Sequence, residues 1–322
     1  MRVVSLFCGA GGMDLGFIKA GHKIVWANDN DLDSCETYEK NIGHKPVCYD
    51  IEKIDSSTIP EADIVIGGFP CQGFSIANSY RHEKDERNKL YLELKRIIHE
   101  KNPKYFVAEN VTGLCSIGGY ETKEDKKKKT GRILKQILKE LSECGEKGYN
   151  VKFDILTASD FGVPQNRKRI IILGTRKDIK QELKHPEPTH KNNKRTIQEA
   201  IGDLPKQSNE FSKNIAFEKV KGFYNHYGTK HKVKINGHLG NRKIDWNKPS
   251  PTVTGRGGGT GGPVIMPHPD LHRRMTVREY ARIQEFPDDF IFYGAVSSQF
   301  RQIGNAVPWR LAYSIAKIIP KN

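Results

Sequence analysis

Short apolar runs alternate with amphipathic stretches through the first half of this 322-residue chain, and this alternation limits the fold more than any other feature. The apolar runs predict buried strands, and the stretches between them have helical spacing. The predicted strands cover 3–7, 23–27, 64–66, 105–108, 152–157 and 169–174, and the predicted helices cover 13–20, 34–41 and 89–101. This order favours an α/β fold, in which a mostly parallel sheet has helices on both faces.

The character of the chain changes after about residue 184. Residues 185–262 are polar, rich in Pro, Asn, Lys and Gly, and lack regular periodicity. A stretch of this length predicts either a smaller irregular lobe or a long functional insertion. Helical patterning returns at 276–284, and 306–319 is apolar enough to pack back onto the sheet. Residues 118–130, with four lysines at 126–129, are predicted to form an exposed loop with solvated side chains.

The excess of positive charge is concentrated in one part of the chain. The sequence has 53 Lys and Arg against 38 Asp and Glu, and residues 151–260 alone hold 22 basic and 10 acidic residues. A solvated basic surface explains many such runs, but the concentration favours a polyanion such as nucleic acid as the partner. No apolar run approaches the length that spans a bilayer, and the N-terminus is a poor signal peptide. These features predict a cytoplasmic protein.

The six cysteines show no pattern of their own. They form no Cys-x-x-Cys pair and suggest neither a metal site nor a disulfide framework. Most are expected to be reduced, partly buried small residues. A chemical role for any one of them therefore has to rest on its surroundings.

A glycine-rich loop, Phe7-Cys8-Gly9-Ala10-Gly11-Gly12, follows the first predicted strand. Glycines at this place let the backbone turn tightly and approach a ligand closely, although a plain tight turn has the same composition. Asp14 stands where a dinucleotide fingerprint would have a third spaced glycine, which weakens a pyrophosphate interpretation. Asp29 ends the second strand, where a carboxylate can bind the hydroxyls of a ribose. Asp50 ends the next segment and is a candidate acceptor for an adenine amino group.

The strongest chemical motif is the loop 67–75, Gly-Gly-Phe-Pro-Cys-Gln-Gly-Phe-Ser, directly after the strand that ends at Ile66. Its cysteine, Cys71, lies where α/β enzymes place their ligands. A thiolate is a strong nucleophile, and nearby helix amides or a cationic cofactor would lower its pKa. A buried structural cysteine is the alternative, but the loop is too polar and glycine-rich for a core.

Charged side chains follow or begin two further strands. Glu109 comes directly after the strand 105–108, and would lie beside Cys71 if the two strands are neighbours. It is a candidate acid toward a heterocyclic nitrogen, or else a structural partner of an arginine. Arg167 and Arg169 open a later strand, and alternation predicts that both point into the cleft. Their guanidinium groups suit a phosphate or a base oxygen, unless they only form a charged strand entrance.

Taken in order, these blocks resemble the DNA (cytosine-5) methyltransferase family in its small bacterial restriction–modification form. The resemblance runs from Val4 to Val307 and includes two C-terminal blocks, 278–287 and 302–308. It implies the Rossmann-like fold of S-adenosylmethionine-dependent methyltransferases, with a smaller target-recognition domain. The implied division is a catalytic and cofactor-binding domain at 1–185, a target-recognition domain at 186–287 and a returning C-terminal segment at 288–322.

The resemblance also assigns roles position by position. Asp29 would bind the ribose of S-adenosylmethionine, and Asp50 with Ile51 its adenine. Asp29 is shorter than the glutamate more usual there, and Asn30 replaces a tryptophan that stacks on the adenine in some members. The full set implied for the cofactor is Phe7, Gly9, Ala10, Gly12, Asp29, Asp50, Ile51, Pro70, Leu90, Asn305 and Ala306.

The implied reaction takes place on a cytosine flipped out of double-stranded DNA. Cys71 would add to C6 while Glu109 hydrogen-bonds or protonates N3, and Arg169, with Arg167 beside it, would steady the base. Gln72, Ser75, Arg256 and Thr260 would contact the DNA, and the variable stretch 186–248 would read one target sequence. We expect a monomer that acts near the nucleoid of a bacterial or archaeal cell, with or without a separate cognate endonuclease.

Two other functions remain open from the sequence. A tRNA cytosine-5 methyltransferase uses a similar scaffold, although the Phe-Pro-Cys-Gln-Gly-Phe-Ser loop and the sizeable variable lobe argue against it. A catalytically silent DNA-binding relative would have lost a reactive position, whereas Cys71, Glu109 and Arg169 are all present.

Overall fold

A seven-stranded sheet forms the centre of the protein. The computed structural model describes residues 1–69, 90–205, 219–220, 223–226, 243–255, 266–270 and 273–321. The strands of the sheet are β1 Arg2–Leu6, β2 Lys23–Asp29, β3 Val47–Cys48, β4 Ile64–Gly68, β5 Tyr105–Val111, β6 Tyr149–Thr157 and β7 Lys168–Arg176. They lie in the order β3-β2-β1-β4-β5-β7-β6, and β7 runs opposite to the other six strands. The prediction of a mostly parallel α/β sheet is therefore confirmed.

Helices connect the strands and continue into the C-terminal half. In the described residues they are α1 Gly12–Lys19, α2 Leu32–Ile42, α3 Leu90–Lys101, α4 Lys123–Lys128, α5 Arg132–Ser142, α6 Ile197–Ile201, α7 Val277–Ile283, α8 Val296–Asn305 and α9 Trp309–Lys317. A short antiparallel ribbon pairs β8 Lys219–Val220 with β9 Phe223–Tyr224. None of the described helices is long and apolar enough to cross a membrane.

Alternation along the strands divides the core between the two faces of the sheet. Val3 of β1 packs in a cluster with α1 and α9, whereas Val4 and Leu6 pack in a second cluster with α3 and α5. A third cluster joins α6, α7 and α8, and Ala10 of the glycine-rich loop belongs to it. Buried side chains of this cluster beyond residue 287 include Phe290, Phe292, Phe300 and Ile303. The division at residue 287 remains a prediction.

Four local features differ from the sequence prediction or complete it. The predicted loop 118–130 contains α4, because Thr122 and Asp125 form a capping box that satisfies the first backbone amides of a helix. Strand β3 and helix α5 were not predicted. The apolar stretch 306–319 does pack back onto the sheet as predicted, with Leu311 and Ile315 of α9 buried beside Ile64 of β4.

The packing at Gly174 of β7 provides a stability test. A Cβ atom on Gly174 would lie 2.0 Å from the Cε1 atom of Phe106. Phe106 is fully buried and packs edge-on against Tyr149, so its ring has little room to move. We expect Gly174→Ala to lower the free energy of unfolding by about 1–3 kcal/mol, as overpacking does in other cores. Urea unfolding measures it.

Lys152→Ala is the matched control for Gly174→Ala. Lys152 belongs to the neighbouring strand β6, where it pairs with Leu173 of β7, and its side chain is exposed. Its loss removes an exposed ion pair with Glu182 and should cost at most about 1 kcal/mol. Equal unfolding midpoints for Gly174→Ala and the wild-type protein would contradict the packing argument.

Candidate active site

The carboxyl ends of β1, β2, β4 and β5 meet at one edge of the sheet, which is where open α/β folds bind ligands. The glycine-rich loop follows β1, and Asp29 ends β2. Gly68 at the end of β4 is the register partner of Glu109 near the end of β5. The predicted cofactor loop, the ribose carboxylate and the predicted acid therefore share this edge.

The glycine-rich loop is held in an unusual backbone conformation. Phe7 has φ 55° and Gly9 has φ 53°, both in the left-handed region. This region is costly for an aromatic residue and is characteristic of functional loops. The amide of Cys8 donates to the carbonyl of Asn28 at 2.9 Å, which ties the loop to β2. Apart from its two chain neighbours, no atom of the described residues lies within 4 Å of a Cβ placed on Gly9, so these residues leave room for a ligand over its backbone.

Asp29 faces this loop with both carboxylate oxygens oriented. One oxygen accepts from the amide of Gly9 at 2.8 Å and the other from the amide of Asp31 at 3.0 Å. Burial is the stronger influence and raises the pKa of Asp29 above its ordinary value, against the opposing effect of these amide donors. Each carboxylate oxygen keeps acceptor capacity for a hydroxyl group. The loop and the carboxylate thus fit a ribose-bearing cofactor lying across the end of β1 and β2.

Five other predicted cofactor residues come from several elements. Ile51 is buried and Asp50 is partly exposed at the start of a 3-10 turn after β3. Leu90 begins α3 and is half-buried. Asn305 and Ala306 end α8, and a Cβ atom on Gly12 would lie 3.2 Å from the Cβ atom of Ala306. The two ends of the chain therefore meet at the loop.

Asp14 connects β1 with α2 close to the glycine-rich loop, a role that the sequence analysis missed. It is fully buried at the start of α1 and accepts hydrogen bonds from Ser5 Oγ at 2.7 Å and from Tyr38 OH at 2.5 Å. Burial raises the pKa of Asp14 to about 6, against the opposing effect of the two hydroxyl donors. The signal in the sequence was a carboxylate within an otherwise apolar helix.

Glu109 forms an ion pair with Arg169 beside the loop that leads to Cys71. The Oε1 atom of Glu109 lies 2.7 Å from Nε of Arg169, at an angle that does not qualify as a hydrogen bond. Both side chains are about nine-tenths buried. A Cβ atom on Gly68 would lie 3.0 Å from Oε2, so the glycine makes room for this carboxylate. Asn110 donates to the carbonyl of Phe69 at 3.2 Å and fixes the chain two residues before Cys71.

Arg167 does not share the position of Arg169, which corrects the expectation that both point into the cleft. It is only 1% exposed, and its guanidinium donates to the main-chain carbonyls of Val253 and Gly304 at 2.9 Å each. Strand β7 begins at Lys168, so the alternation that was assumed does not extend back to Arg167.

Several predicted site residues lie outside the described part of the chain. They are Pro70, Cys71, Gln72, Ser75, Arg256 and Thr260. Their roles remain predictions. Phe69, the described residue before Pro70, lies at the edge of the sheet. Gly255, the described residue before Arg256, lies in the segment that packs against α8.

Comparison with solved structures supports the class that the fold and site define. A DNA modification methyltransferase encoded within a prophage (E. coli) superposes with a TM-score of 0.77 at 25% identity, covering 99% of this chain and 98% of that one. The DNMT2 structure from Spodoptera frugiperda, at 18% identity and a TM-score of 0.67, covers 98% of each chain and shows the same fold. The protein is an S-adenosylmethionine-dependent methyltransferase.

The sequence comparisons identify the family within this class. Residues 1–321 match the family described as C-5 cytosine-specific DNA methylase. Type II methyltransferase M.MthTI of Methanothermobacter thermautotrophicus is 38% identical over 100% of this chain and 98% of its own length. Type II methyltransferase M.NgoFVII of Neisseria gonorrhoeae is 37% identical over 99% of this chain and 86% of its own length. The chain belongs to the C-5 cytosine-specific DNA methylase family, and its activity is DNA (cytosine-5) methylation.

The buried Asp14 carboxyl gives a prediction about pH. Since its pKa in the folded protein is about 6, against 3.8 for the free side chain, the folded state binds its proton more tightly than the unfolded chain. The stability contributed by Asp14 is therefore lost as pH rises from about 4 to about 6. Relative to wild type, Asp14→Asn should gain about 2–3 kcal/mol of unfolding free energy between about pH 4 and pH 7. Urea unfolding at several pH values measures this.

Asp63→Asn is the matched control for Asp14→Asn. Burial raises the pKa of Asp63, but its hydrogen bonds from Arg2 and Lys104 prevail and the net pKa is lowered. Asp63 is thus ionised in both states above about pH 4, and its variant should show no comparable gain over this interval. A stability difference between Asp14→Asn and wild type that stays constant from about pH 4 to pH 7 would rule out the raised pKa of Asp14.

Proposed function

We propose that this enzyme methylates one cytosine within a single target sequence of double-stranded DNA, through a flipped base and a covalent bond between Cys71 and C6. The observation that carries the proposal is the nearly buried Glu109–Arg169 pair at the sheet edge, beside the segment that leads to Cys71 and across from the cofactor loop. Because a buried ion pair contributes little to stability by itself, we attribute its place at this edge to binding or catalysis.

The cofactor has a site that its chemistry fits. Asp29 would bind the ribose hydroxyls, the open backbone of Gly9 would lie against the ligand, and Ala306 would form the opposite wall. Bound there, S-adenosylmethionine supplies an electrophilic methyl group attached to a sulfonium. Phe7, Ala10, Gly12, Asp50, Ile51, Pro70, Leu90 and Asn305 complete the proposed pocket.

Glu109 and Arg169 would activate the cytosine ring. Arg169 holds one carboxylate oxygen of Glu109, which leaves the other oxygen to share a proton with N3 of the base. Withdrawing electrons at N3 makes C6 electrophilic, so the Cys71 thiolate can form a bond to C6. The negative charge that develops would reach C5, which would take up the methyl group and leave S-adenosylhomocysteine as the second product. Loss of the C5 proton to solvent, return of the N3 proton to Glu109 and departure of the Cys71 thiolate would then restore the aromatic ring.

Arg167 would act on this chemistry indirectly, as a positioning residue that holds main-chain carbonyls. Gln72 and Ser75 on the loop of Cys71 would contact the flipped nucleotide, and Arg256 with Thr260 would contact phosphates. The target-recognition domain at 186–287, with the basic residues of its variable stretch, would read the bases.

The biological setting follows from the relatives. Those cited above are named Type II methyltransferases and come from a bacterium and an archaeon. We infer that this protein is the protective methylase of a restriction–modification system, with a cognate endonuclease acting separately, or an orphan methylase. It would act as a monomer in the cytoplasm, at the nucleoid.

The activity is tested by incubating purified protein with labelled S-adenosylmethionine and either plasmid DNA or tRNA. We expect 5-methylcytosine in the DNA at one sequence, which bisulfite sequencing would locate, and none in the tRNA. Cys71→Ser should abolish transfer, because serine is a far weaker nucleophile. A stable complex with 5-fluorocytosine DNA, formed only with cofactor, would exclude a silent DNA-binding protein. Full activity in Cys71→Ser would refute the covalent mechanism.

Glu109→Gln tests the acid independently of the nucleophile. Glutamine keeps the size of the side chain but cannot give up a proton to N3, so kcat should fall by about 10²–10⁴-fold. The Kd for S-adenosylmethionine, measured by calorimetry, should stay within about twofold of the wild-type value. Glu140→Gln is the matched control, because Glu140 is also partly buried and ion-paired, with Lys95, but lies in α5. A kcat within twofold of wild type for Glu109→Gln would remove Glu109 from the mechanism.

A further inference from the structure

Three fully buried polar side chains lie behind the proposed site without being part of it. Gln165 and Gln284 have no exposed surface, and Arg167 is 1% exposed. They come from the segment before β7 and from the end of α7. Polar groups at such depth are costly unless they are hydrogen-bonded, so what they bind identifies what they are for.

Arg167 connects two segments of the chain, one next to the proposed cofactor pocket and one next to the proposed DNA contacts. Its Nη1 donates to the carbonyl of Val253, and its Nη2 to the carbonyl of Gly304, both at 2.9 Å. The same Nη2 lies 3.4 Å from the carbonyl of Asn305, a residue of the proposed cofactor pocket. Val253 lies three residues before Arg256, one of the proposed DNA contacts.

The two glutamines extend the same connection. The side-chain oxygen of Gln165 accepts from the amide of Val253 at 2.8 Å, and its Nε2 donates to Gln284 Oε1 at 2.7 Å. Gln284 donates in turn to the carbonyl of Ile303 at 2.6 Å and to that of Ala306 at 3.2 Å. Val253 is therefore bound through both its amide and its carbonyl, and the end of α8 is bound from the opposite side.

Direct backbone packing joins the same segments. A Cβ atom on Gly304 would lie 2.1 Å from the amide nitrogen of Gly255, and one on Gly12 would lie 2.5 Å from the carbonyl oxygen of Val307. The cofactor loop thus rests on the residues after α8, and α8 rests on the segment that enters the proposed DNA-binding loop. Displacement of one of these backbones must displace the next, because close-packed interiors deform little.

We propose that Arg167, together with Gln165 and Gln284, forms a positioning network that couples cofactor binding to DNA binding. The inference rests on the proposed function, since it uses Asn305, Ala306 and Arg256 as ligand contacts. Cofactor that settles against Asn305 and Ala306 stabilises the position of Gly304 and hence of the segment at Val253–Gly255. By linkage, DNA that fixes this segment must raise cofactor affinity by the same factor.

The guanidinium of Arg167 is costly at this depth. Burial, and then the nearby charge of Arg169, disfavour its charged form and lower the pKa of Arg167 well below its ordinary value, so the carbonyl groups that it binds have to offset this cost. A charged donor binds carbonyl groups more strongly than a neutral donor, and removing it leaves those carbonyls unsatisfied. Arg278 provides a comparison within the same chain. It is also fully buried and donates to the carbonyls of Tyr224, Pro287 and Phe290, none of which is among the residues proposed to bind the cofactor or phosphate.

The test compares Arg167→Lys with Arg278→Lys. S-adenosylhomocysteine serves as an unreactive probe, and DNA affinity is measured with and without it. The ratio of the two affinities measures the coupling. The DNA is the duplex that the methylation assay identifies, or the same plasmid DNA if no site is found. In the wild-type protein the probe should tighten DNA binding by at least about fivefold. Arg167→Lys should reduce this ratio to within about twofold of one, whereas Arg278→Lys should leave it unchanged.

Thermal unfolding shows whether Arg167→Lys is folded. If it is not, Gln165→Met and Gln299→Met form a second matched pair. Both glutamines are fully buried, but Gln299 of α8 bonds to Asn225 and Gly294. Only Gln165→Met should lose the coupling. The proposal would be overturned by any of three results. The affinity ratio of the wild-type protein could be near one, Gln165→Met could have the same ratio as wild type, or the two variants of a matched pair could lose the coupling equally. Intact coupling without methylation would instead count against the proposed function.

Discussion

The antiparallel pairing of β5 with β7 determines where the chemistry of this protein can occur. Since β7 runs against the rest of the sheet, its first residues lie at the same edge as the last residues of β5. Val111 is the register partner of Arg169, and Glu109 that of Ile171. A parallel β7 would place the start of the strand at the opposite edge, about one strand length from Glu109. The ion pair of the site therefore depends on a topological feature rather than on a local motif.

This ion pair has little justification as a stabilising element. Removing two charges from water costs several kcal/mol each, and a hydrophobic pair of similar volume is often equally stable. Here the local structure accommodates the buried pair, since Gly68 makes room for the carboxylate and Asn110 fixes the neighbouring chain. The strained backbone of Phe7 is a second local cost at the same edge. Two costs at one edge are expected where binding and reactivity, rather than stability, determine the residues.

The sequence allowed the strand ends to be predicted because parallel strands bring their carboxyl ends together whatever the loops between them do. Asp29 and Glu109 were found in this way, and so was the glycine-rich loop. The position of Arg167 was not, because alternation holds only inside a strand and β7 begins one residue later. The partners of Arg167 lie 86 and 137 residues further along the chain. No periodicity connects positions so distant, and their meeting is decided only when α8 packs against the segment at Val253–Gly255.

The same distance explains why the cofactor pocket is built from both ends of the chain. The glycines in the loop of Phe7 to Gly12 contribute no side chains, and its helix begins only at Gly12. Its rigidity comes from α9 packed on α1 and from the carbonyl of Val307 lying against Gly12. Contacts across some 300 residues require closure of a loop that includes most of the chain, which is slow compared with the formation of local contacts. A completed cofactor site therefore signals a completed fold, and the buried network behind it extends that dependence to the segment that would bind DNA.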